Sequence, residues 1–447
     1  MTKMLTRICL CVLAIFCAGS LIRPQTSLEQ RIDKESDSLV ALYKHIHQNP
    51  ELSTEEKETS VLLAGELRRL GFEVTERLGK YDVPDKISYG VVGVLRNGPG
   101  PTVMVRTELD ALPVEEKTGL PYASHVKVRQ ADGEVSVMHA CGHDLHMSSW
   151  IGTARMLVAM KNEWSGTLVM IGQPSEEGLG GAKAMLKDGL YTRFPRPDFV
   201  LALHDIPTVA AGKVAWKEGS MLASADGVDI TVRGYGGHGA APHMTKDPIV
   251  MASEIVLLLQ TIVSRGIDPF DSAVVTVGSF HAGTKRNIIP DEAHLELTVR
   301  TMKPEVRDKV LASIKRIAEG VATAGDVPSE RAPIVRVVSS TPATINNPEL
   351  SRRVGAALER ALGKNNVLPA EPIMASEDFS QYGLTDPKPP YVMFWLGATD
   401  PKRLQQAREK GTTLPSLHSS EFYPLPEPAI HTGVKAMTAS VLELFKK

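Results

Sequence analysis

The nine residues Met138-His139-Ala140-Cys141-Gly142-His143-Asp144-Leu145-His146 place one thiol, three imidazoles and a carboxylate side by side, immediately before a helical pattern. Cysteine and histidine are the ligand types that borderline-soft divalent metals prefer. Asp144 can fix the tautomer of a neighbouring histidine, can cap the helix, or can do both. His139 and His146 are the weaker ligand candidates, and we expect them to pack or to support the ligands. The stretch therefore predicts a metal site beside the start of a helix.

Two further motifs follow predicted strands. Strand Thr167–Ile171 runs into Gly172-Gln173-Pro174-Ser175-Glu176-Glu177-Gly178, and strand Phe199–Leu203 ends at His204-Asp205. Proteins of the α/β class build their sites at the carboxyl ends of such strands. Because adjacent residues at a strand end point in different directions, one carboxylate of the Glu176-Glu177 pair can bind metal while the other faces a bound water as general base. A solvated pair of loop charges is the alternative, which the repeated strand-end pattern disfavours.

Helical and strand patterns alternate along the chain, which predicts an α/β domain with a largely parallel sheet. From about Ala225 the pattern changes to two β-α-β-like halves, which predicts a small α+β domain. Helix and strand signals then resume near Leu350 and return the chain to the first domain. The predicted elements are helices at 27–47, 54–70, 148–160, 248–263, 306–324, 350–362 and 429–445, and strands at 91–95, 102–106, 167–171, 199–203, 228–233, 273–280, 294–301 and 391–396.

Length and composition narrow the class of protein. A chain of 447 residues is too long for one ordinary core and suggests two domains. The chain has 43% hydrophobic and 23% charged residues, which excludes disordered, collagen-like and polytopic membrane proteins. A formal net charge of −2 provides no basic field for a phosphate backbone, so nucleic acid is not an expected partner.

The first 22 residues have the three parts of a secretory signal peptide. Lys3 and Arg7 precede the apolar run Ile8–Cys17, and Ala18-Gly19-Ser20 offers a small-residue cleavage site. A membrane anchor needs about 20 apolar residues, and Arg23 interrupts this run too early. Lipidation at Cys17 is a minor alternative, and the cleavage site itself stays open. We therefore expect an exported protein, periplasmic or secreted, without a stable membrane span after cleavage.

Cysteine usage points to the same site. Cys141 is the one cysteine outside the predicted signal, so the mature chain cannot form an intramolecular disulfide. A lone cysteine is usually a small buried hydrophobe, but the neighbours of Cys141 favour a ligand. A zinc ribbon is excluded, because it needs several cysteines at short spacing.

Seven motifs occur in the order found in one family, and with them the chain resembles an M20-family metallopeptidase. The resemblance is to the amidohydrolase branch, which contains hippurate hydrolases, N-acyl amino acid hydrolases and auxin-conjugate hydrolases. It covers roughly the whole mature chain. The motifs are His47-Gln48-Asn49-Pro50-Glu51-Leu52, Asp110-Ala111-Leu112-Pro113, the His139–His146 cluster, Pro174-Ser175-Glu176-Glu177-Gly178, Gly237-His238-Gly239-Ala240-Ala241-Pro242-His243, Asn287-Ile288-Ile289-Pro290-Asp291 and Ser376-Glu377-Asp378-Phe379.

The resemblance implies two divalent metal ions per subunit, with Glu176 as the general base. Zn, Mn, Co and Ni all suit the mixed donor set, so the identity of the metal stays open. A lone loop histidine such as His418 would carry little weight without the resemblance. The implied ligands are Cys141, His143, Glu177, His204 and His418.

The resemblance also implies a catalytic α/β domain, residues 27–222 and 340–447, interrupted by a smaller α+β, ferredoxin-like lid and dimerisation domain at residues 225–338. It implies a homodimer or higher homo-oligomer. His238 of the lid is the candidate oxyanion donor, within its own subunit or across the dimer. Asn287 and Arg300 are candidates for holding a substrate carboxylate, since a guanidinium fork matches a carboxylate. Arg300 on a strand facing solvent is the alternative.

Three positions depart from the family pattern without removing a ligand or the base. Glu108 stands where relatives commonly have Asp, Ala375 replaces a usual glycine, and segment 125–137 is longer than in compact members and could reshape one wall of the cleft. We therefore expect an exported metal-dependent amidohydrolase that acts on N-acyl amino acids or related conjugates, although the preferred acyl group and amino acid stay open. The alternatives are a metallo-dipeptidase or aminopeptidase, and a non-catalytic protein that binds amino-acid conjugates.

Overall fold

The structure is a computed structural model that describes residues 27–130, 133–178 and 180–446. The predicted signal peptide, residues 1–22, lies outside the described residues. Two sheets organise this part of the chain, one of eight strands and one of four.

Helices and strands alternate along most of the described chain. The helices are α1 (Leu28–Gln48), α2 (Lys57–Arg69), α3 (His143–Ala159), α4 (Gly181–Lys187), α5 (Leu190–Arg193), α6 (Pro248–Thr261), α7 (Pro304–Ala324), α8 (Pro348–Leu362), α9 (Pro401–Lys410) and α10 (Pro426–Phe445). The strands are β1 (Glu73–Leu78), β2 (Gly90–Asn97), β3 (Thr102–Glu108), β4 (Lys127–Gln130), β5 (Gly133–Ser136), β6 (Gly166–Gln173), β7 (Phe199–Ala210), β8 (Val214–Trp216), β9 (Gly219–Leu222), β10 (Ala225–Arg233), β11 (Gly237–His238), β12 (Ala273–Ala282), β13 (Ile288–Ile289), β14 (Glu292–Thr301), β15 (Ile334–Thr341), β16 (Thr344–Asn346), β17 (Val367–Pro369) and β18 (Tyr391–Thr399).

The large sheet is mixed, with the strand order β1-β2-β6-β3-β7-β18-β8-β17. Its centre is parallel, because β6, β3, β7 and β18 run in one direction. Strand β2 pairs antiparallel with both β1 and β6, and β8 pairs antiparallel with β18. The prediction of a largely parallel sheet therefore describes the centre and misses the antiparallel edges. Strand β2 was predicted, but its direction leaves no local pattern in the sequence, and β1 and β8 were not predicted.

Helices cover both faces of the large sheet. One apolar core joins the sheet to α1, α2, α3, α8 and α10, and a second core joins the opposite face to α4, α5 and the 3-10 turn Asp378–Gly383. Every residue of β18 is buried, as expected for a central strand packed on both faces. The parallel strands therefore hold their carboxyl ends on a rigid support.

Residues 225–341 contain the second sheet, which is antiparallel with the order β12-β14-β10-β15. Helix α6 lies between β10 and β12 in the chain, and α7 lies between β14 and β15. Burial alternates along β10 and β14, so one face of the sheet packs on the two helices in a separate apolar core. Backbone hydrogen bonds from Ser224 N to Thr301 O (2.7 Å) and from Ala223 N to Ala375 O (2.9 Å) attach this unit to the segment beside the large sheet.

The outer side of α6 is apolar. The stretch Pro248–Gly266 has a mean hydropathy of 1.5, so its length and composition alone would also suit a membrane-spanning helix. Only 28% of its apolar window is buried in the fold. Ile255 and Leu259 face the core of the second unit, whereas Leu257 is 71% exposed. An apolar helix face of this kind usually marks a contact surface.

Candidate metal centre

The five ligands implied by the resemblance converge at one edge of the large sheet. Cys141 lies directly before α3, and His143 is the first residue of that helix. Glu177 lies in the turn after β6, and His204 lies within β7, which runs seven residues beyond the predicted strand end at Leu203, to Ala210. His418 reaches the group from a loop, where its backbone N donates to Ala140 O at 2.8 Å.

The thiol is at the centre of one half of the group. Cys141 Sγ lies 3.3 Å from His418 Nε2 and 3.6 Å from His204 Nε2. His418 Nε2 in turn lies 3.4 Å from Glu177 Oε1. The metal-binding atoms of four side chains therefore lie around one space. They belong to one thiol, two imidazoles and one carboxylate.

His143 and Glu176 complete the other half. His143 Nε2 lies 3.9 Å from Glu176 Oε2, and both residues group with Glu177 within the reach of a single cation. His143 Nε2 and Glu177 Oε1 are buried and have no hydrogen-bond partner among the described residues. Buried polar atoms normally have partners, so this pair of orphaned atoms fits a site for cations. Because Glu177 belongs to both halves, the donor set fits two ions.

Backbone carbonyls fix the orientation of two of the histidines. His143 Nδ1 donates to Asp110 O at 2.7 Å, and His204 Nδ1 donates to Asp205 O at 2.8 Å. Each bond places the proton on Nδ1. The lone pair of Nε2 then faces the centre and can bind a metal ion.

Gly142 is required by the geometry between the first two ligands. Its φ is +72°, in the left-handed region, and a Cβ atom there would lie 2.6 Å from the carboxylate of Asp205. Any side chain at this position would therefore clash as well as strain the backbone. The tight turn also explains why α3 begins at His143, five residues before the predicted start at Ser148.

A buried network of charges lies behind the ligands. Arg106 is fully buried and donates to Glu377 Oε1 at 2.6 Å, to Asp378 Oδ1 at 3.2 Å and to Glu108. His146 bridges Glu108 Oε2 at 3.0 Å and Asp205 Oδ1 at 3.1 Å. Glu108, which departs from the family pattern by its longer side chain, thus spans Arg106 and His146 and stays outside the predicted ligand set.

The buried surroundings raise the pKa values of Cys141 and Glu176. Burial raises the pKa of the Cys141 thiol, and the nearby carboxylates, Glu177 first, raise it further. A bound cation deprotonates a coordinating thiol outright, so the ligand role and this environment are compatible. Burial also raises the pKa of Glu176, and the negative charge of Glu377 adds to the effect. A carboxyl in such a place readily holds a proton.

A cavity of about 420 Å³ opens onto the centre. Its walls include the apolar side chains of Leu222, Ile373 and Trp395, which the sequence patterns did not single out. The described residues of the long segment 125–137 form the hairpin of β4 and β5 and do not line this cavity. The predicted site residues in its wall are Cys141, Glu176, Glu177, His204, Arg300 and His418.

Two of the predicted substrate-side residues lie elsewhere. His238 in β11 pairs with Ile288 in β13, and Gly239 N donates to Asn287 O at 2.9 Å, so His238 and Asn287 are neighbours on the second unit. Both are exposed, and neither lines the cavity. Within one chain, Arg300 is therefore the predicted lid residue that reaches the metal centre.

Arg106 and Glu377 are the parts of the site to which sequence reasoning gave no role. A charged residue inside the buried strand β3 was a signal for Arg106, because a fully buried guanidinium needs carboxylate partners. Glu377 stands in one of the seven family motifs, but its contact with Arg106 spans 271 positions of sequence and has no local pattern.

Comparisons with known proteins identify the family of this chain. The sequence pattern of peptidase family M20/M25/M40 matches residues 104–419. The chain is 41% identical to the hippurate hydrolase of Campylobacter jejuni over 336 residues, 75% of this chain and 82% of that protein. It is 37% identical to thermostable carboxypeptidase 2 of Saccharolobus solfataricus over 399 residues, 88% of this chain and 92% of that protein.

A solved structure shares the fold. It is that of the YXEP protein of Bacillus subtilis, described as a dinuclear metal binding peptidase from the M20 family. The two chains superpose with a TM-score of 0.72 at 28% identity, over 92% of this chain and 99% of that one.

Fold, donor set and relatives together define a metal-dependent hydrolase of C–N amide bonds with two divalent metal ions as cofactors. The chain belongs to peptidase family M20/M25/M40, and its relatives are consistent with the amidohydrolase branch. This confirms the resemblance drawn from the seven motifs.

Proposed function

We propose that this enzyme is an exported amidohydrolase that cleaves the amide bond of N-acyl amino acids or related conjugates, with Glu176 as general base. The observation that carries the proposal is a single cavity lined by Glu176, the predicted metal ligands and Arg300. The relatives named as a hippurate hydrolase, an N-acetyl-L-cysteine deacetylase and an IAA-amino acid hydrolase support this substrate class.

The proposed ligands for the two ions are Cys141, His143, Glu177, His204 and His418. Divalent cations in such a site lower the pKa of a bound water and polarise a carbonyl oxygen. Their donor set of thiolate, imidazole and carboxylate accepts Zn, Mn, Co or Ni.

Glu176 moves the proton in this proposal. Its Oε2 lies 3.9 Å from His143 Nε2, and its side chain lines the cavity. Its raised pKa makes the carboxylate a stronger base for a proton. The carboxylate accepts a proton from the attacking water and delivers it to the nitrogen of the leaving amino acid, so the same group serves as base and then as acid. No further proton carrier is needed for one turnover.

Arg300 holds the amino-acid carboxylate of the substrate. Its Nη1 donates to Met374 O at 2.9 Å, which fixes the guanidinium in the cavity wall, and its other donors have no partner among the described residues. A planar guanidinium binds a carboxylate through two parallel hydrogen bonds. The apolar side chains of Leu222 and Trp395 suit the acyl group.

The unit at residues 225–338 is proposed as a ferredoxin-like lid and dimerisation domain. The exposed apolar face of α6 supports a second copy of this chain as its cover. Because His238 and Asn287 lie away from the cavity of their own chain, we propose that they serve the centre of the partner subunit. There His238 donates to the oxyanion that develops on the carbonyl. A homodimer is the smallest assembly that satisfies this arrangement.

Export is proposed from the signal-like segment at residues 1–22, which places the mature enzyme in the periplasm or outside the cell. The apolar run and the small residues that follow it support cleavage.

An aminopeptidase is less well supported. A free substrate amine would need an available carboxylate near the metals, and Glu377 lines the cavity. Its Oε1, however, accepts from Arg106 at 2.6 Å and from Phe379 N at 3.0 Å. The carboxylate is therefore already used inside the protein.

The test is a mass-spectrometric hydrolysis screen of the mature chain with each divalent metal against N-acyl amino acids, aryl-amide conjugates and dipeptides. We expect cleavage of N-acyl amino acids that needs both metal and Glu176, and a loss of about 10²–10⁴-fold in kcat for Glu176→Gln. Glu371→Gln, an exposed glutamate near the cavity loop, is the matched control. Tight metal binding without any turnover would favour a binding protein instead.

A further inference from the structure

The turn that carries Glu176 and Glu177 is held by two buried carboxyl groups. Three successive backbone N–H groups of the turn donate to them. Glu176 N donates to Asp110 Oδ1 at 3.1 Å, and Glu177 N donates to Asp110 Oδ2 at 3.0 Å. Ser175 N donates to Glu56 Oε1 at 2.7 Å. Glu56 therefore holds the first residue of the turn, from the residue just before α2.

The same oxygen of Glu56 also binds a second backbone group. Thr54 N donates to Glu56 Oε1 at 2.8 Å. Thr54 has a φ of +71° and Ser175 a φ of +50°, so both non-glycine residues have left-handed backbones. Such conformations are strained and persist only where the surroundings enforce them, and they concentrate at functional sites. One carboxyl oxygen thus enforces two strained residues, one of which is next to Glu176.

The Glu56 side chain makes no other hydrogen bond within the described part of the chain. It is fully buried, and its Oε2 has no hydrogen-bond partner among the described residues. Burial first, and then the charge of Asp110, raise the pKa of Glu56 to about 8. The phenol of Tyr81, whose oxygen likewise has no partner among the described residues, faces the same region. The raised pKa favours the uncharged acid at neutral pH, and Oε1 is the oxygen that accepts the backbone hydrogen bonds.

We propose that Glu56 is a positioning residue of the metal centre, which holds Ser175 in its left-handed conformation so that Glu177 points at the metals and Glu176 at the reacting water. The inference rests on the proposed roles of Glu176 and Glu177. Glu56 neither lines the cavity nor belongs to the groups of possible metal ligands among the described residues, so its effect reaches the centre through the turn. An uncharged carboxyl also avoids a second negative charge beside Asp110.

The test compares Glu56→Ala with Glu56→Gln in the full mature chain. Zinc affinity is measured with a competing chromophoric chelator, and kcat and KM are measured on hippurate. We expect Glu56→Ala to lower zinc affinity by about 10–100-fold, as is typical when a group that orients ligands is lost, and to lower kcat more than it changes KM. Glu56→Gln keeps both within about threefold of the wild type, because its amide oxygen can accept from Thr54 and Ser175. Glu55→Ala, at the exposed neighbouring position, is the control.

A double variant separates positioning from simple destabilisation. Glycine adopts a left-handed φ freely, so Ser175→Gly in the Glu56→Ala background should recover part of the zinc affinity. Wild-type zinc binding in Glu56→Ala would overturn the proposal. Equal losses in the Ala and Gln variants, with the same fall in melting temperature and no recovery by Ser175→Gly, would overturn it as well. Zinc affinity is measured without turnover, so an inactive wild type would refute the proposed function and leave this test intact.

Discussion

His47 Nδ1 lies 2.6 Å from Asp144 Oδ2, and this contact ties the first helix to the helix that begins within the metal-binding motif. His47 Nε2 also meets Glu116 Oε1 at 3.2 Å. The imidazole is almost fully buried, and the carboxylates of Asp144 and Glu116 lie beside it. We call His47, Asp144 and Glu116 the His47 clamp. The clamp connects three segments that are distant in sequence and supports the start of α3.

The clamp predicts a loss of stability at alkaline pH. Burial alone would lower the pKa of His47, but its hydrogen bonds to Asp144 and Glu116 raise it to about 9. Since the folded pKa exceeds the ordinary 6.5, the stabilisation is complete below pH 6.5 and is lost as the pH rises through 9. We expect the free energy of unfolding of the wild type to fall by up to about 3 kcal/mol more than that of His47→Gln between pH 6 and pH 9.5.

Urea titrations of both proteins at the two pH values measure this difference. His146, whose pKa is also raised to about 9, titrates in both proteins and therefore cancels in the comparison. Parallel pH profiles for the wild type and His47→Gln would show that the clamp carries no charge.

Zinc should stabilise the fold through its ligands. A metal that binds only the folded chain at 100 times its Kd adds about 2.7 kcal/mol to the free energy of unfolding. We expect zinc to raise the melting temperature of the wild type and to have a much smaller effect on Cys141→Ser, which loses the thiol shared by His204 and His418. Scanning calorimetry with and without a chelator provides the measurement. His45→Ala, at an exposed histidine of α1, should respond like the wild type.

Gly142→Ala should disrupt the centre for a steric reason. A left-handed alanine costs about 1–2 kcal/mol by itself, and here the added Cβ would also meet the Asp205 carboxylate at 2.6 Å. We expect loss of zinc binding together with destabilisation. Gly119→Ala is the matched control, because Gly119 has a φ of +71° with nothing within 4 Å of its Cβ position. Similar behaviour of the two variants in calorimetry and zinc titration would rule out the clash.

Leu257→Glu should dissociate the proposed dimer. The change places a charge on the apolar outer face of α6 while leaving its inner face on the sheet. Light scattering coupled to size-exclusion chromatography should then report a monomer with reduced hydrolytic activity, because His238 no longer reaches a partner. Val61→Glu, at a half-exposed valine of α2, serves as the control. An active monomer would remove the proposed role of His238 across the interface.

Local density predicted a metal site at Cys141 and His143, whereas the full set of five proposed ligands, His418 above all, was implied by the family resemblance. Cys141 and His143 stand two positions apart, and Glu177 and His204 each follow a strand pattern strong enough to place them at one sheet edge. Arg300 was predicted from its chemistry, and it does line the cavity. Short-range patterns and the rule that parallel strands end together are enough for the metal site at this sheet edge, but His418 and Arg300 also needed the family resemblance.

The remaining features depend on contacts between distant parts of the chain. The pairing of Arg106 with Glu377, the grip of Glu56 on Ser175 and the antiparallel edges of the large sheet leave no periodic signal in the sequence. The separation of His238 and Asn287 from the cavity is likewise a matter of how two units pack. Such features become visible when the fold brings the segments together.

The contact between Cys141 and His418 also has a consequence for biosynthesis. The two residues are 277 positions apart, and the whole second unit is translated between them. A nascent chain therefore carries the Cys141 thiol long before the ribosome has made His418, the imidazole that lies nearest to the sulfur in space. Cys141 is buried in the finished fold, so we expect an alkylating reagent to modify a chain arrested before residue 418 more readily than the complete, metal-loaded enzyme.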